Sequence, residues 1–235
     1  MARSIAIIPA RGGSKRIARK NIREFSGRPI LCWSIDIARK SGLFDEIMVS
    51  TDDDEIAQLA RDAGAEVPFM RSGETADDYA PLADVLREVI ERYGSLGRRF
   101  DRACCLFATA PFIRSADLKA GADLLSTSEF EVVIPVARFS YPVQRSLARS
   151  SAGRVVLNYP EYADTRSQDL QATYHDAGQW IWLNPDYLSR VQPLLGPATG
   201  SVVIDANRVE DIDTEEDWQR AEWKFERLNE MGESP

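Results

Sequence analysis

The chain has 235 residues, 44% of them hydrophobic, which predicts a single domain, 1–235, with a substantial core. Its formal net charge of −8 argues against binding to nucleic acid through the overall electrostatic field of the protein. No apolar run approaches the roughly 20 residues that a membrane-spanning helix needs. The short apolar start is no secretory signal, and the three cysteines fit neither a disulfide framework nor a zinc site, so we expect a reduced, cytoplasmic protein.

Short apolar runs alternate with amphipathic stretches over the first 136 residues. Strands are predicted at 4–9, 46–50, 66–70, 103–107 and 132–136. Helices are predicted between and after them at 29–41, 53–63, 82–93 and 115–126. This alternation predicts an α/β fold with a mostly parallel sheet and helices on both faces, whose sites lie at the carboxyl ends of the strands.

The periodicity disappears over residues 137–175, which we call the arm and interpret as a functional or interface element. A local surplus of arginine there could bind a carboxylate bidentately, although an ordinary charged surface is the alternative. Regular structure returns at 176–183 and 202–204. The last helix is predicted to begin at Thr214, which forms a capping box pattern with Asp217.

The strongest local signal follows the first predicted strand, where residues 11–23 carry six cations and no acid. We call this segment the basic loop. Its glycines, Gly12 and Gly13, are expected to adopt positive φ and to let the backbone approach a ligand closely. Glycines and cations after a strand suit a triphosphate, although neither the GxxxxGK[ST] nor the GxGxxG pattern is present. A solvated loop without a ligand is the alternative.

Two acidic clusters could bind a metal ion. Asp211 and Asp213 lie two residues apart in an extended segment and point to one side, and such a pair suits Mg²⁺, which keeps water and phosphate oxygens as further ligands. The alternative is that Asp213 only stabilises the following helix N-terminus. The cluster from Asp52 to Asp54 is similar to the DxD metal motif of glycosyltransferases, but a helix cap at Asp53 or Asp54 explains it more simply.

Five motifs occur along the chain in an order typical of one enzyme family. They are Ile8-Pro9-Ala10-Arg11-Gly12-Gly13-Ser14-Lys15 with Lys20-Asn21, Val49-Ser50-Thr51-Asp52, Arg71 with Glu74, Ala108-Thr109-Ala110-Pro111, and Asp211-Ile212-Asp213-Thr214. Over nearly its whole length the chain resembles the CMP-sialic acid synthetase family, the cytidylyltransferases that activate nonulosonic acids. The resemblance implies a three-layer α/β/α Rossmann-like nucleotidyltransferase fold, with the arm reaching across a homodimer.

The resemblance also implies a reaction, the transfer of CMP from CTP to the anomeric hydroxyl of an acidic nine-carbon sugar. Within the family the chain is similar to the branch that uses pseudaminic acid. That similarity lies in Cys104-Cys105-Leu106-Phe107-Ala108-Thr109-Ala110-Pro111-Phe112, Arg166-Ser167-Gln168-Asp169-Leu170 and His175-Asp176-Ala177-Gly178-Gln179. Sialic or legionaminic acid is the alternative acceptor, and a glycosyltransferase that uses Asp52 to Asp54 is a more distant alternative.

Individual residues receive roles from the same resemblance. Arg11 and Lys20 would bind the triphosphate, Asp211 and Asp213 would bind Mg²⁺, and these four are the expected catalytic residues. The sugar is expected to contact Phe107, Gln179 and Arg166. The residues expected to bind CTP are Ala10, Arg11, Gly12, Gly13, Ser14, Lys15, Lys20, Asn21, Arg71 and Ala80.

Overall fold

The computed structural model describes residues 2–77, 79–190 and 193–232. Its strands are β1 (Ser4–Pro9), β2 (Glu24–Phe25), β3 (Arg28–Pro29), β4 (Glu46–Ser50), β5 (Arg102–Leu106), β6 (Val132–Arg138), β7 (Leu147–Arg149), β8 (Val155–Leu157), β9 (Tyr174–Asp176), β10 (Trp180–Leu183) and β11 (Thr199–Val203). Its α-helices are α1 (Ile30–Ser41), α2 (Asp54–Asp62), α3 (Gly73–Ala76), α4 (Leu82–Ser95), α5 (Ser115–Thr127) and α6 (Glu215–Glu230). None of the helices in these ranges is long and apolar enough to span a bilayer.

Seven of the strands in the described ranges form one sheet, in the order β11-β6-β10-β5-β1-β4, with β9 paired to the end of β6. β1 is parallel to β4 and β5, and β11 is parallel to β6. β10 lies between β5 and β6 and is antiparallel to both. The carboxyl ends of β1, β4, β5, β6 and β11 therefore meet at one edge, which we call the carboxyl edge.

Alternate residues of the strands bury an apolar layer on each face of the sheet. In β1, Ala6 and Ile8 pack with residues of α1, α2 and α5. Ile5 and Ile7 point the other way and pack with residues of α4. The expected three-layer α/β/α arrangement is confirmed, with β9 and β10 as antiparallel members of an otherwise parallel sheet.

The last helix, α6, begins where the sequence predicts. Thr214 and Asp217 form both hydrogen bonds of the capping box. Trp218 of α6 is fully buried in a cluster that also contains Ile17 of the basic loop and Ile212 of the acidic segment. α6 therefore packs against both of the segments to which the sequence analysis assigns ligands.

One predicted strand, 66–70, is wrong. Glu66 forms a single parallel bridge with Met48, and residues 67–70 form no strand. Pro68 has no amide hydrogen to donate, so a hydrogen-bonded ladder cannot continue through this position.

The arm leaves the sheet at the end of β6 and returns as β9, where Arg138 and Tyr174 are register partners. Within it, β7 and β8 form a separate two-stranded antiparallel sheet. The side chains of Leu147, Val155 and Val156 on this hairpin are exposed. The arm is thus a structured excursion rather than a plain loop.

Gly121 of α5 lies so close to the sheet that an added Cβ would come within 2.6 Å of Trp180 Cη2 and 2.8 Å of Trp182 Cδ1. Both indoles are fully buried. Gly121→Ala is therefore expected to lower the free energy of unfolding by about 1–3 kcal/mol, as overpacking does in other cores. In the control Gly94→Ala, in α4, the added Cβ would have no atom within 4 Å. This variant should raise the free energy of unfolding by up to about 1 kcal/mol. Urea denaturation measures both, and equal stability of the two variants would contradict this packing.

Candidate functional site

A cavity of about 530 Å³ opens at the carboxyl edge beside the ends of β1 and β5. We call it the cation cavity. The predicted CTP-binding residues that line it are Arg11, Ser14, Lys15, Lys20, Asn21, Arg71 and Ala80. Ala10 is fully buried beneath the basic loop, and Gly12 and Gly13 lie outside the lining. The structure thus brings the charged and polar residues of the prediction together with Ala80 around one cavity, and leaves Ala10, Gly12 and Gly13 outside its lining.

The glycines of the basic loop differ from the expectation. Neither Gly12 nor Gly13 adopts positive φ, and this conformation occurs instead at Arg19, with φ 53°. Gly12 N donates to Asp52 Oδ1 at 2.9 Å, and a Cβ on Gly12 would lie 2.6 Å from Asp53 Oδ2. Gly12 is therefore needed for the basic loop to pack against the residues that follow β4.

The acidic cluster after β4 anchors the basic loop. Asp53 caps α2 by accepting a hydrogen bond from Ile56 N at 3.0 Å, as the sequence predicts. Its carboxylate also pairs with Arg19, and the hydrogen bond from that guanidinium lowers the pKa of Asp53. Since Asp52 and Asp53 hold Gly12 and Arg19 in this way, the geometry does not support a glycosyltransferase metal motif here.

Lys20 joins the basic loop to the acidic segment. Its Nζ donates to Ile212 O at 2.7 Å and lies 3.4 Å from Asp213 Oδ1. Arg16 Nη2 donates to the same Asp213 oxygen at 2.8 Å. Asp213, predicted to bind the metal, therefore lies beside Arg16 and Lys20 of the cation cavity, whereas neither Asp211 nor Asp213 is among the residues that line it.

The carboxylates of Asp211 and Asp213 are electrostatically coupled. Loss of water around Asp211 and, second, the charge of Asp213 raise the pKa of Asp211. Such repulsion is relieved by a bound cation. No cluster of three or more potential metal ligands occurs within 2–77, 79–190 and 193–232. A two-carboxylate site completed by water and phosphate oxygens is a donor set that Mg²⁺ accepts, so the residues present fit this ion.

Arg71 forms a rigid part of the cavity wall. Its side chain is 8% exposed, with Nε donating to Ser50 Oγ at 3.0 Å and Nη2 donating to Ser50 O at 2.6 Å. Burial lowers the pKa of the guanidinium, and the nearby carboxylates act in the opposite direction. A guanidinium held in one orientation suits recognition of a fixed acceptor such as a nucleobase carbonyl.

A second cavity, of about 540 Å³, opens at the same edge beside the ends of β6 and β11. We call it the arm cavity, because nearly all of its lining residues belong to the arm. Arg138, Ser167 and Gln168 are among them, and Arg138 forms no ion pair within the part of the chain that the structure describes. The predicted sugar residue Arg166 is not among the lining residues, although it directly precedes Ser167 in the chain. Its guanidinium is exposed and pairs with Asp169 at 2.7 Å.

Gln179 lies between the two cavities. It directly precedes β10, and its carbonyl oxygen accepts a hydrogen bond from Phe107 N at 3.0 Å. The side chain is 2% exposed, and Nε2 donates to Arg208 O at 2.5 Å. Its Oε1 is buried and has no hydrogen-bond partner among the described residues. The predicted sugar residues are therefore spread along the edge, with Phe107 at the cation cavity, Gln179 in the middle and Arg166 at the arm.

The cation cavity also contains residues that the sequence analysis did not assign to it. Arg16 and Thr109 lay within the basic loop and the Ala-Thr-Ala-Pro motif, and those signals could have identified them. Thr75 and Asp77 had no such signal. Thr75 belongs to α3, and Asp77 follows that helix, where its Oδ1 accepts a hydrogen bond from Ala80 N at 2.6 Å.

Comparison with known proteins identifies the family of the chain. Residues 5–182 match the family model described as Cytidylyltransferase. The chain is 37% identical over 225 residues to a pseudaminic acid cytidylyltransferase of Campylobacter jejuni, a match that covers 93% of this chain and 94% of that protein. It is 32% identical over 230 residues to a CMP-N,N'-diacetyllegionaminic acid synthase of the same species, with 97% of each chain covered.

Solved structures share the fold. A CMP:2-keto-3-deoxy-manno-octonic acid synthetase complexed with CTP superposes with a TM-score of 0.71 at 16% identity, covering 96% of this chain and 99% of that one. A 4-diphosphocytidyl-2C-methyl-D-erythritol synthase superposes with a TM-score of 0.65 over 95% and 98% of the two chains. The family model, the two relatives and the shared architecture lead to one conclusion: the chain belongs to the cytidylyltransferase family and is a nucleotidyltransferase.

Proposed function

We propose that this enzyme transfers CMP from CTP to the anomeric hydroxyl of pseudaminic acid and releases pyrophosphate. The observation that carries the proposal is the pair of cavities at one sheet edge, one lined by the cations of the basic loop and the other by the arm. The relative that is 37% identical supports pseudaminic acid as the acceptor. Legionaminic and sialic acids are the alternative acceptors, the first supported by the relative that is 32% identical.

The cation cavity is assigned to CTP. The charge of the triphosphate is complementary to Arg11, Lys15 and Lys20, which converge there from the basic loop. The cytosine would lie against Arg71 and Ala80, which line the same cavity. Because Arg71 is fixed by Ser50, it can recognise a base without first losing side-chain freedom.

The arm cavity is assigned to the acidic nine-carbon sugar. Arg138 supplies a cation for its carboxylate, and the apolar side chains of Phe139 and Leu170 line the same cavity and suit methyl and acyl groups. Gln179, with its buried Oε1 lacking a partner among the described residues, lies where the two ligands would meet. A sugar in the arm cavity and a nucleotide in the cation cavity would both lie at the carboxyl edge of the sheet.

In the proposed reaction the anomeric hydroxyl loses its proton to solvent and its oxygen forms a bond to the α-phosphorus. The bond between that phosphorus and the oxygen bridging the α- and β-phosphates breaks, and this oxygen leaves with pyrophosphate. The protein aligns the two groups and neutralises developing charge. Arg11 and Lys20 stabilise the leaving pyrophosphate. Asp211 and Asp213 would hold Mg²⁺, which when bound neutralises phosphate oxygens and acidifies the attacking hydroxyl.

We also propose that the arm contacts a second copy of this chain in a homodimer, as the family resemblance implies. The exposed apolar side chains of Leu147, Val155 and Val156 support an interface on the β7–β8 hairpin. A cytoplasmic location is in keeping with the free thiols of Cys32, Cys104 and Cys105.

Pyrophosphate release from CTP, Mg²⁺ and a panel of acceptors tests the proposed reaction. Release is expected to be fastest with pseudaminic acid and to be absent when the sugar is omitted. A preference for legionaminic or sialic acid would keep the mechanism and replace the acceptor. Tight CTP binding without release for any acid of the panel would contradict the reaction itself.

A further inference from the structure

An exposed arginine of α6 connects the two sides of the segment that carries Asp211 and Asp213. Arg220 Nε donates to Glu210 Oε1 at 3.0 Å, and Glu210 directly precedes Asp211. The guanidinium also donates through Nη2 to Asp217 Oδ1. The side chain of Arg220 is 56% exposed, whereas those of Glu210 and Asp217 are 10% and 16% exposed. One surface cation thus holds two nearly buried carboxylates.

On one side of the pair, Asp217 holds the backbone of Asp213. Its Oδ2 accepts hydrogen bonds from Asp213 N at 3.1 Å and from Thr214 N at 2.7 Å. Asp217 therefore does more than cap α6, because it also fixes the peptide group from which the Asp213 carboxylate projects.

On the other side, Glu210 ties the backbone before Asp211 to α6. Glu210 Oε2 accepts from Lys224 Nζ at 2.7 Å, and the same nitrogen donates to Val209 O at 2.7 Å. Both oxygens of Glu210 are therefore engaged by cations of α6, one by Arg220 and one by Lys224.

We infer that Arg220 is a positioning residue for the Asp211 and Asp213 carboxylates, which it fixes by joining Glu210 to Asp217. The inference rests on the proposed function, in which this pair binds Mg²⁺. Arg220 also neutralises the two neighbouring acids, so they do not compete with Asp211 and Asp213 for the cation.

Two simpler roles of Arg220 lead to different expectations. As a charge alone, Arg220 repels a nearby cation, so its removal would tighten metal binding. As an ordinary surface ion pair, it would leave metal affinity unchanged. A positioning role predicts weaker binding, since loss of a group that orients metal ligands typically costs about 10- to 100-fold in affinity. The sign of the change therefore separates the three roles.

The test compares Arg220→Gln with Arg227→Gln in the full chain. Arg227 is also an exposed arginine of α6, and it pairs with Glu230 at 2.9 Å, away from the acidic segment. Binding of Mn²⁺ is measured by electron paramagnetic resonance of the free ion, with and without CTP and without sugar. The Mn²⁺ dissociation constant is expected to rise about tenfold or more in Arg220→Gln and to stay unchanged in Arg227→Gln. The thermal unfolding midpoints of the two variants should be similar.

Asp211→Asn separates failure of this inference from failure of the proposed metal site. If Asp211→Asn binds Mn²⁺ as tightly as the unmodified enzyme, the metal assignment is wrong. If Asp211→Asn loses binding while Arg220→Gln binds as tightly as before or more tightly, the positioning role alone is overturned. A rise in the dissociation constant of folded Arg220→Gln, with a smaller rise in Arg220→Lys, supports it.

Discussion

Asp211→Asn is expected to reduce kcat by about 100-fold or more, on the scale of a lost electrostatic contact in a transition state. The substitution keeps the size of the side chain and removes one of the two charges that would hold the cation. Asp213→Asn should reduce kcat to a similar extent. Pyrophosphate release at saturating CTP and acceptor, measured over a range of Mg²⁺ concentrations, gives the loss.

The two asparagine variants should differ in how they bind the nucleotide. Asp213 Oδ1 lies 2.8 Å from Arg16 Nη2 and 3.4 Å from Lys20 Nζ, so loss of its charge releases two cations for the triphosphate. CTP binding by Asp213→Asn in metal-free buffer should therefore be as tight as before or tighter. Glu216→Gln changes an exposed acid nearby in α6 and is expected to leave turnover unchanged. Unchanged turnover in both aspartate variants would show that the metal assignment is wrong.

Lys20→Met is expected to lower kcat/KM for CTP by about 100- to 1000-fold, the range measured for loss of one preorganised charge-stabilising donor. The side chain of Lys20 is 20% exposed, so its charge acts with little screening by water. The same substitution removes the hydrogen bond to Ile212 O, which links the basic loop to the acidic segment. Initial rates at low CTP concentration measure the effect.

The matched control for this prediction is Lys119→Met. Lys119 is a surface lysine of α5 that pairs with Asp123 four residues on, and its side chain is 65% exposed. The Lys119→Met variant should retain the kcat/KM of the unmodified enzyme, since exposed ion pairs of this kind contribute little to stability. Lys20→Met that remained within twofold of the unmodified enzyme would remove Lys20 from the triphosphate site.

Elements with local signals could be predicted from the sequence. β1 and β4 have the predicted bounds, because each is an apolar run ended by residues that favour turns. The capping box of α6 was also visible, since its two members lie three residues apart. The direction of β10 was not predictable. Both faces of this strand are buried, and an apolar run carries no sign of whether it lies parallel or antiparallel to its neighbours.

The candidate site also has a part that could be predicted from the sequence and a part that could not. Its charges were visible as the basic loop and as the pair Asp211 and Asp213. Their contact was not, because Lys20 and Ile212 are 192 residues apart in the chain and meet only through tertiary packing. The expected positive φ at Gly12 was wrong. The structure needs a glycine there because Asp53, from a distant part of the chain, packs against it, and the local sequence does not show this contact.

The pairing of β6 with β9 makes the arm a separate insertion in the sheet. Because Arg138 and Tyr174 are paired neighbours, the chain leaves and re-enters the sheet at a single point. The arm cavity is lined almost entirely by that excursion, whereas the cation cavity uses none of it. Replacement of the whole excursion would therefore alter the arm cavity, the proposed acceptor site, and leave the residues that line the cation cavity unchanged.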